Sequence, residues 1–244
     1  MTQAKFIEVF PDLGSLINRS LALVLSQIET AIADHGYCSL VLAGGSTPKP
    51  LYAAIARQDL PWEKLYIFWG DERYVAADHP DSNQLMARLA WLDQVPLPSA
   101  NIHPIPTDSD DPAVDAQNYD RKLQDFFHLA PGQFPQFDII LLGIGDDAHT
   151  ASLFPQTEAL DVCDRLVTVG NKDGQPRITL TIPTINQAAN VLFLVAGASK
   201  KPALAQIFAP IADDKFYPAR FIQPQGNLWW LLDAAAGEDL QPSS

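Results

Sequence analysis

The sequence predicts an α/β fold: a mainly parallel twisted sheet with helices on both faces. Three observations predict it. Several short runs are apolar throughout and partly β-branched, as strands covered on both faces require. Amphipathic helical patterns lie between many of these runs, which is the alternation that builds parallel sheets. The 244 residues are enough for one large domain with a substantial core, so residues 1–244 are read as a single domain.

The elements follow in order. From Leu13, apolar residues at Leu16, Ile17, Leu21, Val24, Leu25, Ile28 and Ile32 recur every three or four positions and lay one stripe along a helix. Gly36 is placed to end it. Ser39–Ala43 reads as a buried strand, Pro48–Arg57 as a helix, Leu65–Trp69 as a second strand and Ser82–Leu92 as a helix. The polar, proline-rich stretch Pro96–Asp111 reads as a long surface loop. A helix over Pro112–Leu129 and a strand over Phe137–Leu142 follow, then strands at Leu166–Val169, Ile178–Thr181 and Val191–Val195. A helix over Ser199–Phe208 and a strand over Leu228–Leu232 close the series.

Composition narrows the partners. Twenty-nine acidic against sixteen basic residues leave a formal charge of −13, a field that repels nucleic acid and anionic membranes. An anionic ligand then needs a local cluster of cations. Cys38 and Cys163 are the two cysteines; neither has metal-site spacing, and both are expected to be small buried hydrophobes. No metal or cofactor is expected. The beginning of the chain lacks a basic segment followed by an apolar core, and no stretch is long and apolar enough to span a bilayer, so the expected compartment is the cytoplasm.

In parallel sheets ligands sit beyond the carboxyl ends of the strands, which directs attention to the loops there. The first, Ala43-Gly44-Gly45-Ser46-Thr47-Pro48, joins a buried strand to a helix. Its glycines allow backbone to approach a ligand, and free N–H groups at a helix start suit phosphate. A plain helix-entry turn explains the same residues. No GxxxxGK[ST] string is present. The second, Gly70-Asp71-Glu72-Arg73-Tyr74-Val75, puts an arginine fork at a strand end, suited either to phosphate or to a surface ion-pair cluster.

The third loop runs from Gly143 to Pro155, GIGDDAHTASLFP. Its opening matches GxGxxA, the dinucleotide pattern, but Asp146 and Asp147 would stand where a pyrophosphate belongs. Carboxylates beside His149 fit acid–base chemistry better, because a carboxylate orients an imidazole and raises its basicity; a histidine filling a turn is the bland alternative. Lys200, after a buried strand at a helix start, and Arg177, opening a strand, are further cations able to meet an anion or to sit solvated on the surface.

Taken together, GGSTP (Gly44–Pro48), DERYV with the later Ser82-Asn83 pair, Gly143–Pro155, RITLT (Arg177–Thr181) and GASK (Gly197–Lys200) resemble the 6-phosphogluconolactonases, within the broader glucosamine-6-phosphate deaminase-like, Rossmann-like fold. The pieces occur in that family's order and span most of the chain. The resemblance implies hydrolysis of a sugar-phosphate lactone, 6-phospho-D-glucono-1,5-lactone, to 6-phosphogluconate in the oxidative pentose phosphate route. It implies His149 as the general base supported by Asp147, with Gly45, Ser46, Thr47, Arg73, Arg177 and Lys200 around the substrate; Lys201 rivals Lys200. A monomer is expected. The chain departs from the family at Ala148, where the DGH string has glycine, and at Gln156, where a glycine follows LFP. If position 148 needs a positive φ, alanine there costs roughly 1 kcal/mol or more. Two rivals remain: a glucosamine-6-phosphate deaminase, whose family carries a GHIAFNEP-like string instead of His149–Pro155, and a sugar-phosphate sensor without catalysis.

Overall fold

The computed structural model describes residues 4–240. The chain begins with β1 (Lys5–Phe10) and the long α1 (Leu13–His35), then β2 (Cys38–Leu42), α2 (Lys49–Ile55), β3 (Leu65–Trp69) and β4 (Asp71–Arg73). It continues through α3 (Asn83–Ala90), β5 (Ile102–His103), α4 (Pro112–Phe127), β6 (Ile139–Leu142), β7 (Val167–Lys172) and β8 (Gln175–Leu180). The last elements are α5 (Ile182–Asn186), β9 (Asn190–Val195), α6 (Lys201–Ile207), β10 (Asn227–Asp233) and α7 (Ala234–Gly237).

Local chemistry explains the longest helix. Asp12 accepts a hydrogen bond from Ser15 N at 2.7 Å and caps the start of α1. Gly36, at φ 92°, turns the chain left-handed at its end while its N–H bonds Ile32 O at 3.0 Å. The stripe Leu16, Ile17, Leu23, Val24 and Ile28 is buried, each side chain contributing about 1.5–3 kcal/mol of hydrophobic stabilisation.

Seven strands form one parallel sheet in the order β1-β10-β9-β6-β2-β3-β5. β2 and β9 are buried along their whole length, which is why apolar residues dominate them. From β2 the sheet grows through β3 to β5 on one side; from β6 it grows through β9 and β10 on the other. The loops leaving β2 and β6 therefore diverge, and such a reversal opens a crevice at the strands' carboxyl ends.

Two expectations need correction. The strands at Leu166–Val169 and Ile178–Thr181 do not join the parallel sheet: as β7 and β8 they pair antiparallel, and β4 adds to β8 to make a separate three-stranded sheet. The turn Asp173-Gly174, with both residues at positive φ, lets the chain reverse at once, so the two strands meet each other first. Pro96–Asp111 is not wholly loop, since it contains a 3-10 turn at Ser99–Asn101 and the edge strand β5. Only two residues pair there, too few to show as a periodic run. β1 and β4 were not foreseen: β1 is a half-exposed edge, and β4 carries the charged triplet Asp71-Glu72-Arg73.

Candidate active site

The reversal between β2 and β6 holds a crevice of about 480 Å³. It is walled by the loop after β2 (Gly44 to Pro48), by Arg73, by the loop after β6 including His149, by Arg177 on β8, and by Lys200 beyond β9. Gly45, Ser46 and Thr47 line it as well. Every expected site residue therefore borders this space except Asp147, which sits behind His149 as its hydrogen-bond partner.

Each wall is fixed from below. In the first loop the buried Tyr52 hydroxyl donates to Ala43 O at 2.7 Å and accepts from Ala43 N at 2.9 Å, pinning the exit of β2 to α2. Gly44 abuts the Asn83 amide so closely that a Cβ there would collide with it. The two acids of the second loop act structurally. Glu72 accepts from Asn83 N and Gln84 N, each at 2.7 Å, and from Arg73 N at 2.9 Å, so it holds the start of α3 against β4. Burial outweighs these bonds and raises the Glu72 carboxyl above its ordinary value. Asp71 accepts from the buried Ser152 hydroxyl at 2.6 Å and from Asn83 Nδ2 at its backbone oxygen, 2.9 Å away. Both acids thus tie the second loop to its neighbours.

The loop after β6 folds back on itself. Gly145 N donates to His149 O at 2.9 Å, Ala148 N to Gly145 O at 3.1 Å, and Leu153 N to Thr150 O at 3.0 Å. Ala148 adopts φ 64° and Gln156 φ 59°. Both positions where the resembled motif has glycine are left-handed in this chain, a conformation that is strained for a residue with a side chain. Ala219 N, from a distant turn, donates to Ala148 O at 3.0 Å and helps hold it there.

His149 Nδ1 lies 2.5 Å from Asp147 Oδ1, and Asp147 also accepts from His149 N at 3.2 Å. Burial by itself would raise the Asp147 carboxyl; the hydrogen bonds and charge of His149, with a smaller contribution from Lys172, override it and hold the group at about 2. The pair is partly exposed, with the imidazole 20% accessible.

Arg73 and Arg177 face each other directly in the β4–β8 ladder. Arg73 Nη1 donates to Asp81 O at 2.6 Å, and the Nε atoms of both arginines are buried without an acceptor. Burial first, then the charge of Arg73, pushes the Arg177 guanidinium below its ordinary value. Asp71, Asp81 and Glu72 partly offset this repulsion, and an anion bound between the two forks would offset it further.

Lys200 is the lysine at the crevice: its Nζ bonds Asp146 Oδ1 at 2.7 Å, while Lys201 turns away to Glu238 and Asp239. Lys200 sits in a 3-10 turn before α6, and its charge is met by Asp146. Asp146 is held below its ordinary value by hydrogen bonds from Lys200 and Ser199. Cys163, expected to be buried, is exposed, because it follows a 3-10 turn in the charged segment between Asp161 and Asp164; Cys38 is buried as expected. Asn83 and Phe154 are site residues the sequence did not single out; both lay inside quoted motifs, but their roles depend on what packs against them. Among the described residues no group of three His, Cys, Asp or Glu side chains is arranged to hold a metal ion. None of the described helices is long and apolar enough to cross a membrane.

A parallel sheet with helices on both faces, carrying its polar crevice where the strand order reverses, defines an α/β enzyme of the Rossmann-like class. The family described as glucosamine-6-phosphate isomerases/6-phosphogluconolactonase matches residues 11–230. The chain is 65% identical over 236 residues to a 6-phosphogluconolactonase of Nostoc sp., covering 97% of this chain and 98% of that one. It is 64% identical, with the same coverage, to the 6-phosphogluconolactonase of Synechocystis sp.. Among solved structures, 6-phosphogluconolactonase from Trypanosoma brucei superposes with a TM-score of 0.84 at 33% identity, over 97% of this chain and 99% of that one. The chain belongs to the glucosamine-6-phosphate isomerase/6-phosphogluconolactonase family, and its relatives place it among the lactone hydrolases of that family.

Proposed function

We propose that this chain hydrolyses 6-phospho-D-glucono-1,5-lactone to 6-phosphogluconate, with His149 as the general base and the phosphate held by Arg73 and Arg177. The observation that carries the reading is the 2.5 Å contact between His149 Nδ1 and Asp147 Oδ1 at the wall of a crevice that also presents two opposed arginines. With Nδ1–H given to the carboxylate, Nε2 is the unprotonated nitrogen and can accept a proton from water. Water attacks C1 as Nε2 takes its proton, the carbonyl becomes a tetrahedral oxyanion, and the bond from C1 to the ring oxygen breaks as the imidazolium returns a proton to that oxygen. Asp147 fixes the ring and stabilises the imidazolium in between. An ester is already electrophilic, so positioning supplies much of the remaining acceleration.

The arginines grip the far end of the substrate. Guanidinium forks match phosphate oxygens, and an anion between them relieves their mutual repulsion. Gly45, Ser46 and Thr47 offer backbone and hydroxyl groups in the same crevice, and Lys200, paired with Asp146, adds a cation to its lining. This reading treats residues 1–244 as one catalytic unit that works in the cytoplasm as a monomer, without a cofactor, on a small sugar-phosphate lactone.

Because the lactone also opens spontaneously, the test is a fast assay on freshly generated lactone with an enzyme-free control. His149→Asn should lower turnover by orders of magnitude while leaving the fold and the affinity for 6-phosphogluconate largely intact. Near-normal turnover in that variant rules out the base assignment. Ammonia release from glucosamine 6-phosphate, assayed in parallel, should be absent.

A further inference from the structure

Arg177 is held in an unusual way. No carboxylate or carbonyl accepts from its guanidinium among the described residues; its Nε is buried and unpartnered, and the charged group directly across the ladder is another arginine, Arg73. Asp71, Asp81 and Glu72 favour its charge from a distance, and the ring of Phe154 has its centroid 5.7 Å from Arg177 Cζ. The same ring lies 4.6 Å from the His149 imidazole, with an interplanar angle of 47°, and 5.6 Å from Lys172 Nζ. Phe154 is itself 4% exposed, next to the fully buried Leu153 that pairs back to Thr150. It is a fixed surface on which the base and a cation both rest.

We infer that Phe154 is a positioning residue for the reaction, whose aromatic face holds Arg177 ready for the phosphate and fixes the imidazole of His149 beside it. The inference rests on the reading of Arg177 as a phosphate ligand given above. A carboxylate in the place of Phe154 would hold Arg177 more strongly but would neutralise it and occupy the N–H groups the substrate needs. An aromatic face attracts a cation through its quadrupole and leaves the donor edge of the guanidinium free. It adds to the pull of Asp71, Asp81 and Glu72 against the repulsion from Arg73. One side chain thereby sets the distance between the group that grips the phosphate and the group that activates water, and that distance decides whether C1 arrives at the base.

The experiment compares Phe154→Leu, which keeps apolar bulk and removes the π face, with Phe154→Tyr, which keeps the face, alongside Arg177→Ala and the double variant Phe154→Leu/Arg177→Ala. Phe154→Leu should raise KM for the phosphorylated lactone about five- to twentyfold and lower kcat, and Phe154→Tyr should return KM close to the parent value. With unphosphorylated D-glucono-1,5-lactone, Phe154→Leu should lower kcat without the rise in KM, a split that a general loss of structure does not produce. In the double variant KM should match that of Arg177→Ala alone, because the ring acts through the arginine. Independent, multiplying losses in KM, or a Phe154→Tyr no better than Phe154→Leu, would overturn the role of Phe154 while leaving the phosphate reading in place. An unchanged KM in Arg177→Ala would remove the phosphate reading and this one with it. Should Phe154→Leu fail to fold, Phe154→Met takes its place in the same cycle.

Discussion

Gly145 leaves no room for a side chain beneath His149: a Cβ at position 145 would lie inside the contact distance of His149 Nδ1 and against Asp147 Oδ1. The glycine is required by that close approach and not by its backbone angles, since Gly145 is not among the glycines at positive φ. Gly145→Ala should therefore push the imidazole off its carboxylate and lower kcat by at least tenfold, with a smaller change in KM. Steady-state kinetics on fresh lactone checks it; unchanged kcat would mean that the pair tolerates displacement and does not set the rate.

Asp147 stays a carboxylate through the working range. Its folded value, about 2, lies below the ordinary 3.8. The sign follows: its contribution to stability is present above the ordinary value and fades as pH falls toward about 2. An acid limb of activity above pH 4 therefore does not report Asp147. Asp147→Asn should lower kcat about 10- to 100-fold through loss of ring orientation and imidazolium stabilisation. A pH–rate profile of parent and variant tests both statements, and a parent acid limb above pH 4 that disappears in Asp147→Asn would contradict the first.

Arg73→Ala should raise KM about 10- to 100-fold, the loss expected for one charge-assisted pair with phosphate, with kcat changed less. Arg73→Lys should recover only part of that loss, because an ammonium cannot reproduce the fork. Circular dichroism controls for the lost bond to Asp81 O. An intact fold with unchanged KM would exclude Arg73 as a phosphate ligand.

The two left-handed departures differ in what surrounds them. Gln156 is exposed, and its N–H, which donates to Lys215 O at 2.9 Å, survives replacement by glycine. Gln156→Gly should stabilise the protein by about 0.5–1 kcal/mol, relief of left-handed strain exceeding the added freedom of the unfolded chain. Ala148 is fully buried, and the loss of its methyl, about 0.8 kcal/mol, offsets the same relief, so Ala148→Gly should be near neutral. Denaturant midpoints of the two variants measure the difference; equal gains would show that the buried methyl contributes nothing.

His103 is half-buried between Tyr66 and Phe68, with ring centroids 6.1 and 4.7 Å away, and its Nε2 is buried without a partner. Burial, then the charge of Lys122, lowers it from 6.5 to about 4. Between those values the unfolded chain binds the proton and the folded chain does not, so stability falls as pH drops through the window. His103→Phe should remove about 1–2 kcal/mol of that loss, after allowance for partial solvent screening. Thermal unfolding at pH 7.5 and pH 5 checks it: a variant that loses as much stability as the parent over that interval assigns the acid sensitivity elsewhere.

Legibility in the sequence tracked burial. The central strands β2, β3, β6 and β9 stood out because both faces are covered and apolar residues dominate them. β1 at the edge and the charged β4 did not, because an edge needs only one apolar face and β4 is held by what its acids cap. The histidine beside its carboxylates was visible because the partners are two residues apart. Arg73 and Arg177 were visible as separate cations, but their direct opposition was not, since residues 104 positions apart meet only through the β4–β8 register.

The amino-acid order alone determined the alternation of buried strands and amphipathic helices and the chemistry in each loop, because these depend on near neighbours and on hydrophobic period. The tertiary structure decided which loops share a crevice, which lysine faces it, and that the Phe154 ring lies near both His149 and Arg177. Those outcomes depend on strand order and sheet pairing, where contacts form between segments distant along the chain and no local pattern encodes their distance.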